Sequence, residues 1–513
     1  MSTKLNIPLP SKGLVVDRPA EYVDSRSATS IRNMEFNRSI IRKRIGGVEL
    51  GSSLGERIMR YFELQVGPLT RLFRVGTTKI EVVNKTTGAW SSVAHSPLTG
   101  GDADVISYAF PLLSGEKIVV YTNGIDPIRK CSIIGDDSNL GGTPPIARYV
   151  QAFGPYLFAA YITDGGNTYY SRVQWCDTGD PENWDQITSN AGSTDLLEDP
   201  EDITGLGIFG GALTVHKPKS ITVGSLVTTS DVIRFDRKST GVGAAASATI
   251  ANIPSGEQIF LATDGLHLFN GITAPLVESP IQDELREEMN PQYLYKSQAI
   301  YVPELDEYWF CVPIGSDTEP STVYKYNWRT KQIYKDRREN LTAMGMFLNQ
   351  TSLTWGDMTI AWGSSTSRWN SIGNSTLNPV VILGDSDGIS IKRSPVSFND
   401  GDTAIDGIFD TKDFTAEDLG VTDIDRIVRW KGMELWAKGN TVSVYYSTDS
   451  GSSWNLITTK TLTSDYPDDD APINVWFDVV KSKIRFRFRN NISGESFTIK
   501  KYQLEASLRE SRN

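Results

Sequence analysis

Residues 260–271 read Phe-Leu-Ala-Thr-Asp-Gly-Leu-His-Leu-Phe-Asn-Gly, and this stretch decides the fold class. Two short apolar runs, residues 260–262 and 266–269, lie on either side of Asp264-Gly265, and Asn270-Gly271 follows at once. Asp-Gly and Asn-Gly pairs tolerate the positive φ that tight turns demand. The stretch therefore predicts a β-hairpin followed directly by a second turn.

The same theme recurs between residues 56 and 395. Strand-like runs at residues 72–75 and 80–83 come before the turn at residues 84–88, and the run at residues 117–121 comes before Asn123-Gly124. The spacing is ~40–50 residues, which is the length of one propeller blade. A four-stranded sheet cannot bury both of its faces alone, whereas a ring of blades buries them and leaves only short edges. Residues 51–395 are thus predicted to form a β-propeller of about six or seven blades.

Composition agrees with an all-β protein of more than one domain. The chain has 513 residues, of which 39% are hydrophobic and 44 are glycine, a mixture that suits short strands and turns. Its net charge of −11 argues against holding nucleic acid by bulk electrostatic attraction, because phosphates would be repelled. A passive conduit for DNA would benefit from that repulsion.

The cysteines and the hydropathy pattern bear on the compartment. Cys131, Cys176 and Cys311 are odd in number and far apart, which favours core packing in a reducing cytoplasm over a disulfide framework. The first ten residues have no apolar signal core, and no run of 18 apolar residues occurs. We expect neither signal-directed secretion nor a membrane-spanning segment.

Residues 1–50 differ from the rest and are predicted to form an extended N-terminal arm. Six basic residues stand against only Asp24 and Glu35 in its second half: Arg26, Arg32, Arg38, Arg42, Lys43 and Arg44. Such an arm lacks the apolar area to fold alone and becomes ordered by docking on its own body or a neighbour. These cations are candidates for docking on an acidic neighbouring subunit, where arginine pairs bidentately with carboxylates. The alternative is a disordered tail.

Residues 396–513 are predicted to form a C-terminal β-sandwich-like domain. Strand-like runs occur at residues 432–437, 441–446, 474–480 and 483–489. In the last of them Arg485, Arg487 and Arg489 alternate with apolar residues, which makes a candidate basic interaction strand. Its basic face must meet solvent, acid or phosphate.

One α-helix is predicted, at residues 279–290. Ser279 can cap it, Gln282 completes a capping box, and Ile281, Leu285 and Met289 recur on one face. This apolar face is expected to lie across a blade edge.

Several patterns imitate active sites but lack the required context. Residues 205–210 have glycines at dinucleotide-binding spacing, yet the chain continues as strand where a phosphate-binding helix must begin. Residues 51–55 and 384–388 match the Gly-x-Ser-x-Gly pattern without the strand and helix of a nucleophile elbow. No catalytic residues are predicted, and we expect the protein not to be an enzyme.

Metal and cofactor sites have little support in the sequence. The histidines His95, His216 and His267 are isolated, and no zinc-ligand spacing occurs. A calcium loop beginning at Asp385 would place Val396 where a bidentate glutamate belongs. No metal or cofactor is predicted, and calcium remains open.

Residues 447–454, Ser-Thr-Asp-Ser-Gly-Ser-Ser-Trp, resemble the Asp-box of sialidases and related propellers. In that motif the aspartate ties down a hairpin turn and the tryptophan packs beneath it, so the resemblance implies a structural role. Together with Trp362, Trp369 and Trp430 it motivates one reading, a carbohydrate-binding or carbohydrate-cleaving propeller.

A second resemblance covers most of the chain. Its elements are Gly13-Leu14, Pro19, Tyr22, Asp24, Ser27, Asn33 and residues 41–46, followed by residues 172–184 and 264–271. In this order they look like the tail nozzle proteins of short-tailed bacteriophages, also called tail tubular protein B.

That resemblance implies a structural virion protein with no catalytic residues. It implies a homo-hexameric ring, built in the bacterial host cytoplasm, that lies in the virion tail below the adaptor and portal proteins. The ring would surround the DNA exit channel and carry fibres or spikes. Because passing DNA must slide, acidic loops such as residues 195–202 and 465–470 are candidates to line it, although ordinary solvated loops would look the same.

Overall fold

The computed structural model describes residues 3–7, 12–37, 40–67, 69–93, 96–227, 232–348, 379–463 and 472–508. Regular structure in these ranges is almost entirely β-strand, as the composition predicts. Their single α-helix, α1, spans Gln282–Glu288. The N-terminal segment contains five short strands, β1 (Thr3–Ile7), β2 (Ser30–Arg32), β3 (Met34–Asn37), β4 (Ile40–Lys43) and β5 (Gly47–Glu49).

Seven antiparallel sheets, here called blades 1 to 7, follow one another along the described residues. Blade 1 contains β6 (Arg60–Val66), β7 (Leu69–Val75), β8 (Ile80–Val83) and β9 (Trp90–Ser92). Blade 2 contains β10 (Ser107–Ala109), a small hairpin of β11 (Leu112–Leu113) and β12 (Glu116–Lys117), then β13 (Val119–Thr122), β14 (Arg129–Cys131) and β15 (Ser138–Asn139). Blade 3 contains β16 (Ile146–Phe153), β17 (Tyr156–Asp164), β18 (Asn167–Trp175) and β19 (Gly192–Asp195).

The remaining blades complete the series. Blade 4 contains β20 (Gly205–Phe209), β21 (Ala212–Lys217), β22 (Ser220–Leu226) and β23 (Ile233–Thr240). Blade 5 contains β24 (Ala251–Ile253), β25 (Glu257–Ala262) and β26 (Gly265–Phe269). Blade 6 contains β27 (Gln298–Val302), β28 (Glu307–Val312), β29 (Thr322–Asn327) and β30 (Ile333–Arg337). Blade 7 contains β31 (Leu341–Phe347), β32 (Val380–Asp385), β33 (Ser390–Arg393) and, from the N-terminal segment, β5.

The blades close into a ring. The first strand of each blade is the innermost, and β31 of blade 7 packs beside β6 of blade 1. Strand β5 pairs with β33 through Gly47 and Arg393, so a strand from the beginning of the chain forms the outer strand of the last blade. This pairing joins the two ends of the propeller and removes an exposed sheet edge.

Separate apolar clusters fill the spaces between neighbouring blades. Each cluster draws side chains from two adjacent sheets, which is why strands such as β28 are buried on both faces. The three cysteines are buried and unbonded, and they lie in three different clusters. The prediction that they are core residues is confirmed.

Two further sheets follow the propeller and pack face to face. A small hairpin of β34 (Asn399–Asp400) and β35 (Thr403–Ala404) comes first and extends the sheet of blade 7. The strands that follow it are β36 (Gly407–Asp410), β37 (Val428–Gly439), β38 (Thr441–Ser447), β39 (Asn455–Thr461), β40 (Ile473–Lys481), β41 (Arg485–Asn490) and β42 (Phe497–Leu508). One sheet has the order β3-β4-β42-β37-β40, with β1 also paired to β42, and the other contains β36, β41, β38 and β39. Inward residues such as Trp430 and Phe488 share one core, which gives the predicted β-sandwich arrangement.

The N-terminal segment joins these parts. Strand β2 lies between β30 of blade 6 and β36 of the sandwich, so one sheet of nine strands runs from the propeller into the sandwich. Strands β3 and β4 extend the other sandwich sheet, and β5 closes blade 7. The segment predicted to be an extended arm is thus ordered by strand pairing along the body of its own chain.

Two local predictions need correction. Helix α1 begins at Gln282 instead of Ser279, because the Gln282 side chain donates to the Asp264 carbonyl oxygen (2.7 Å) and forms no capping box. The hairpin turn consists of Thr263 and Asp264, and Gly265 is already paired in β26. Glycine is required there because its φ is 137° and a Cβ would collide with the Gln282 amide. The predicted apolar face of the helix is buried in the core, as expected.

Candidate functional site

Arg44 lies at the junction of blades 6 and 7 with the sandwich and is 1% exposed. Its guanidinium donates to both oxygens of Asp400 (2.9 and 2.5 Å) and to the Asn33 side-chain oxygen (3.1 Å), and Asp336 lies 3.5 Å away. Burial opposes the charge, but Asp400 and Asp336 outweigh it and raise the pKa of Arg44. Burial is likewise outweighed at Asp400, whose pKa Arg338 and Arg44 hold well below its usual range. This ionic cluster fastens the N-terminal segment to blades 6 and 7, because Asp336 lies on β30 and Asp400 on the hairpin that extends the sheet of blade 7.

Lys43 is fully buried between the sandwich sheets and the N-terminal segment. Its ammonium donates to Asn490 Oδ1 (2.8 Å) and to the carbonyl oxygens of Glu495 (2.9 Å) and Ile492 (3.3 Å). Burial lowers the pKa of Lys43 to about 8. Lys43 and Arg44 are therefore not available to a neighbouring subunit, which corrects the docking prediction for these two residues: their charges are satisfied within the chain.

The other predicted docking residues lie nearer the surface. Arg32, Arg42 and Arg26 each pair within the chain, with Asp406 (2.5 Å), Glu35 (2.9 Å) and Asp24 (3.3 Å) respectively, and each remains between one third and one half exposed. Arg38 lies outside the described residues. Arg26, Arg32 and Arg42 keep surface that a partner can reach.

The predicted basic strand β41 faces a row of acids. Arg485 pairs with Asp413 (2.6 Å), Arg487 with Asp410 (two contacts of 2.7 Å) and Arg489 with Asp406 (2.7 and 3.2 Å). Arg487 also stacks on Trp454 at 4.0 Å. The sequence allowed solvent, acid or phosphate as the partner of this basic face. In the structure the partners are acidic side chains of the same chain. The positive charges of this face are therefore neutralised within the chain. The prediction that the face is a basic interaction surface needs correction.

The acidic loop at residues 195–202 connects blade 3 to blade 4. Several of its carboxylates are paired: Arg172 binds Asp195 (2.6 Å), Arg237 binds Asp199 (2.8 Å), and Lys219 lies 3.3 Å from Glu201. Its negative charge is therefore largely compensated locally. The second acidic loop, residues 465–470, lies outside the described residues.

The tryptophans separate into buried and exposed groups. Trp430, one of the residues that motivated the carbohydrate hypothesis, is 0% exposed, so it belongs to the core. Trp362 and Trp369 lie outside the described residues. Trp476 on β40, which the sequence reasoning missed, is 71% exposed and lies opposite Gly432. The alternation of β40 could have revealed it, because Val475 is buried and Trp476 must then face outward.

A cavity of about 570 Å³ lies between blade 7, β2 and the β34–β35 hairpin. Its charged lining is balanced: Arg32 pairs with Asp406, Arg337 with Glu339 (3.4 Å) and Arg338 with Asp400 (3.1 Å). The cavity consequently offers no excess charge with which to select an ionic ligand.

The sequence motifs have structural roles. Asp449 accepts from the Ser453 N–H (2.9 Å) and from the Ser447 hydroxyl (2.6 Å), so it ties down the turn as the Asp-box resemblance implies. Asp385 accepts the N–H groups of Asp387 and Ile389 in the β32–β33 turn. Among the described residues no group of three histidine, cysteine or acidic side chains is arranged to hold a metal ion.

His216 and His267, the isolated histidines in the described ranges, also form polar contacts within the chain. His216 contacts Gln258 (2.9 Å), and burial lowers its pKa to about 4. His267 contacts Asp264 and the Ala274 carbonyl oxygen, each at 2.9 Å. His95 lies outside the described residues.

No α-helix in the described ranges has the length and apolar character needed to cross a bilayer.

The sheets define the class of this protein: it is a β-propeller, with seven blades in the described residues, joined to a β-sandwich. No protein-family model matches the chain. No curated protein matches it.

Solved structures with similar propellers include YCF48 from Cyanidioschyzon merolae, at 14% identity and a TM-score of 0.40, covering 68% of this chain and 99% of that one. BamB from Moraxella catarrhalis matches at 14% identity and a TM-score of 0.34, covering 77% and 98% of the two chains. BBS1N, solved in complex with ARL6DN, matches at 9% identity and a TM-score of 0.38, covering 71% and 97%. These likenesses concern the β-propeller fold alone.

Proposed function

We propose that this protein is a structural component of a bacteriophage tail, a nozzle subunit that assembles into a ring around the DNA exit channel. The proposal is best supported by the contacts through which both ends of the chain join the propeller and the sandwich into one body. The clearest of these contacts is the continuous nine-stranded sheet.

That interlocking suits a mechanical role. Two domains joined by a plain linker move relative to each other by default. Here strand β2 pairs with both domains, and one apolar cluster contains Tyr324 of blade 6 together with Phe488 of the sandwich. A subunit of this kind transmits force without bending, as a ring through which a genome passes requires.

The charge balance also supports the proposal. The net charge is −11, and the three arginines of β41 are paired with acids of the same chain. A wall of this kind has few free cations to bind phosphates, so DNA would slide past it. The expected partners are further copies of this chain, an adaptor or portal-proximal tail protein, and a fibre or spike.

Electron microscopy of the purified protein tests the proposal. The protein is mixed with its tail adaptor, separated by size and imaged in negative stain. We expect ring-shaped particles of six subunits. A protein that stays monomeric in the presence of the adaptor would contradict the proposal.

Trp476 favours a second candidate function, recognition of host-surface carbohydrate. Its indole lies over Gly432, where an added Cβ would be 3.3 Å from the ring, and Asn474 and Gln503 line the same shallow depression. An exposed aromatic face beside amide groups can stack on a sugar ring while hydrogen-bonding its hydroxyls.

A glycan array with matched variants separates the two candidates. Binding by the wild type that is lost in Trp476→Ala but kept in Leu456→Ala, an exposed apolar residue on β39, would establish the carbohydrate function. Absence of binding by all three proteins would exclude this face as a glycan site.

A further inference from the structure

A small cavity lies at one end of the central channel of the propeller. Its volume is about 20 Å³, and its lining comes from the first residues of the innermost strands of blades 1 and 6, from the residues just before the innermost strands of blades 1, 2 and 6, and from Ala248 in the short 3₁₀ helix Ser247–Thr249 that precedes blade 5. The segment before blade 5 lies across the seven-membered ring from blade 2. A cavity that both line therefore lies near the propeller axis.

The lining carries an excess of positive charge. Arg57 and Lys296 both pair with Glu319, the latter at 2.6 Å, so one carboxylate serves two cations. Arg60 contacts the Gln298 side-chain oxygen (3.2 Å) and the ring of Tyr108, and it has no carboxylate partner among the described residues. Asp104, the only acid in the lining, already accepts the Gly101 N–H (2.6 Å).

Hydrogen-bond donors around the cavity are left without partners. Arg57 is 7% exposed and Ser297 is 0% exposed, yet Arg57 Nε, Arg60 Nε and Ser297 Oγ have no hydrogen-bond partner among the described residues. A buried donor that is left unsatisfied destabilises the folded state, and a charged donor does so more strongly. Glu319 Oε2 is also unpaired, but Glu319 lies behind Arg57 and Lys296 and does not line the cavity.

We infer that this end of the channel binds a small inorganic anion, held by Arg57, Arg60, Lys296 and Ser297. The donors, the surplus positive charge and the size all require a compact acceptor: a cavity of about 20 Å³ has room for a single ion or water-sized group and excludes an organic ligand. The anion ties together the starts of blades 1 and 6 and so stabilises the ring. This inference does not depend on the proposed function.

Diffraction from crystals soaked in bromide locates the site directly. Bromide is an anomalous scatterer, and we expect a peak on the axis between the Arg60 guanidinium and the Ser297 hydroxyl. An axis without anomalous density, or peaks confined to exposed lysines and arginines, would overturn the inference.

Thermal unfolding tests the same site in solution. At constant ionic strength, millimolar bromide should raise the Tm of the wild type by a few degrees with saturation, because the anion binds only the folded ring. The rise should disappear in Arg60→Gln, persist in Arg60→Lys, and be unchanged in Arg234→Gln, which removes an exposed cation of blade 4. An equal rise in Arg60→Gln would show a non-specific salt effect and contradict the inference.

Should Arg60→Gln fail to fold, Ser297→Ala serves instead. It removes one neutral donor and no charge, and we expect it to weaken the apparent anion affinity about fivefold, the effect of one lost hydrogen bond. An unchanged affinity would count against the site.

Discussion

At the scale of single residues, the N-terminal segment shows that the same residue type has different roles at two positions within one segment. Arg26 lies at the surface with half of its side chain exposed, whereas Arg44 is buried between two carboxylates. A surface ion pair contributes about 0–1 kcal/mol, while breaking a buried pair leaves an uncompensated charge. Their contributions to stability should differ accordingly.

The first prediction compares these two arginines. Arg44→Met should lower the free energy of unfolding by about 3 kcal/mol, because the buried carboxylates of Asp400 and Asp336 each lose one of their two cationic partners. Arg26→Met should change it by less than about 1 kcal/mol. Urea unfolding followed by tryptophan fluorescence measures both. Equal effects of the two substitutions would show that the buried cluster is not formed.

The second prediction concerns Lys43 and pH. Its pKa is lowered by burial to about 8 in the folded state, against an ordinary value of 10.5. Between these two values the unfolded chain binds more protons than the folded one, so the lysine contributes stability that increases as pH rises. The free energy of unfolding of the wild type, relative to Lys43→Met, should rise by about 1–2 kcal/mol between pH 8 and pH 10.5.

The control for Lys43 is an exposed lysine. Lys219→Met removes a side chain that is 74% exposed and should show no such pH dependence relative to the wild type. Denaturant unfolding at several pH values measures all three proteins. If the difference in the free energy of unfolding between wild type and Lys43→Met did not change with pH, Lys43 would have an ordinary pKa.

The sequence reveals charged residues but not their partners. Asp400 and Arg44 are separated by 356 positions, and nothing local in either stretch indicates the pairing. The segment is ordered by docking on its own body, which is one of the two possibilities predicted from its composition. The position of the segment between the propeller and the sandwich depends on contacts that form only in the folded chain.

At the scale of elements, the strands were predictable where their pattern is strict. Strand β41 alternates apolar and basic residues, and its apolar side is indeed buried against the sandwich core. The partners of its basic side chains could not be predicted without knowing the adjacent strand, because β36 places Asp410 opposite Arg487. Helix α1 shows the same limit: its apolar face was predictable, while its first turn depends on Asp264, which is 18 positions away.

The third prediction reverses one pair between β36 and β41. Asp410→Arg and Arg487→Asp should each lower the free energy of unfolding by about 3–5 kcal/mol, since each places like charges together at a largely buried position. The double substitution should recover at least about 1 kcal/mol of the summed loss. Chemical denaturation of the four proteins measures this interaction. Additive losses would contradict a direct pair.

At the scale of the whole molecule, the propeller was predictable and its closure was not. Turn signals recur in every blade, but β5 is only three residues long and precedes its blade-7 partner β33 by about 340 positions. No repeat marks it as a blade strand. For the same reason the sequence left the number of blades open between six and seven.

The fourth prediction tests how the N-terminal segment holds the molecule together. Deleting residues 1–50 removes β2 and β5, which exposes the edges of blades 6 and 7 and should produce aggregated protein. Deleting residues 1–10 removes only β1 at the edge of β42 and should leave a folded species with a Tm lowered by a few degrees. Size-exclusion chromatography and thermal unfolding distinguish the two. A well-folded protein lacking residues 1–50 would contradict the interlocked architecture.

We propose that this rigid body works as a ring in a phage tail, and electron microscopy of the parent particle can detect it there. Antibody-labelled virions are examined by electron microscopy, and the tail is reconstructed. We expect label at the distal end of the tail and density for six propeller-sandwich units around the DNA channel. Label elsewhere, or a tail end without such units, would contradict it.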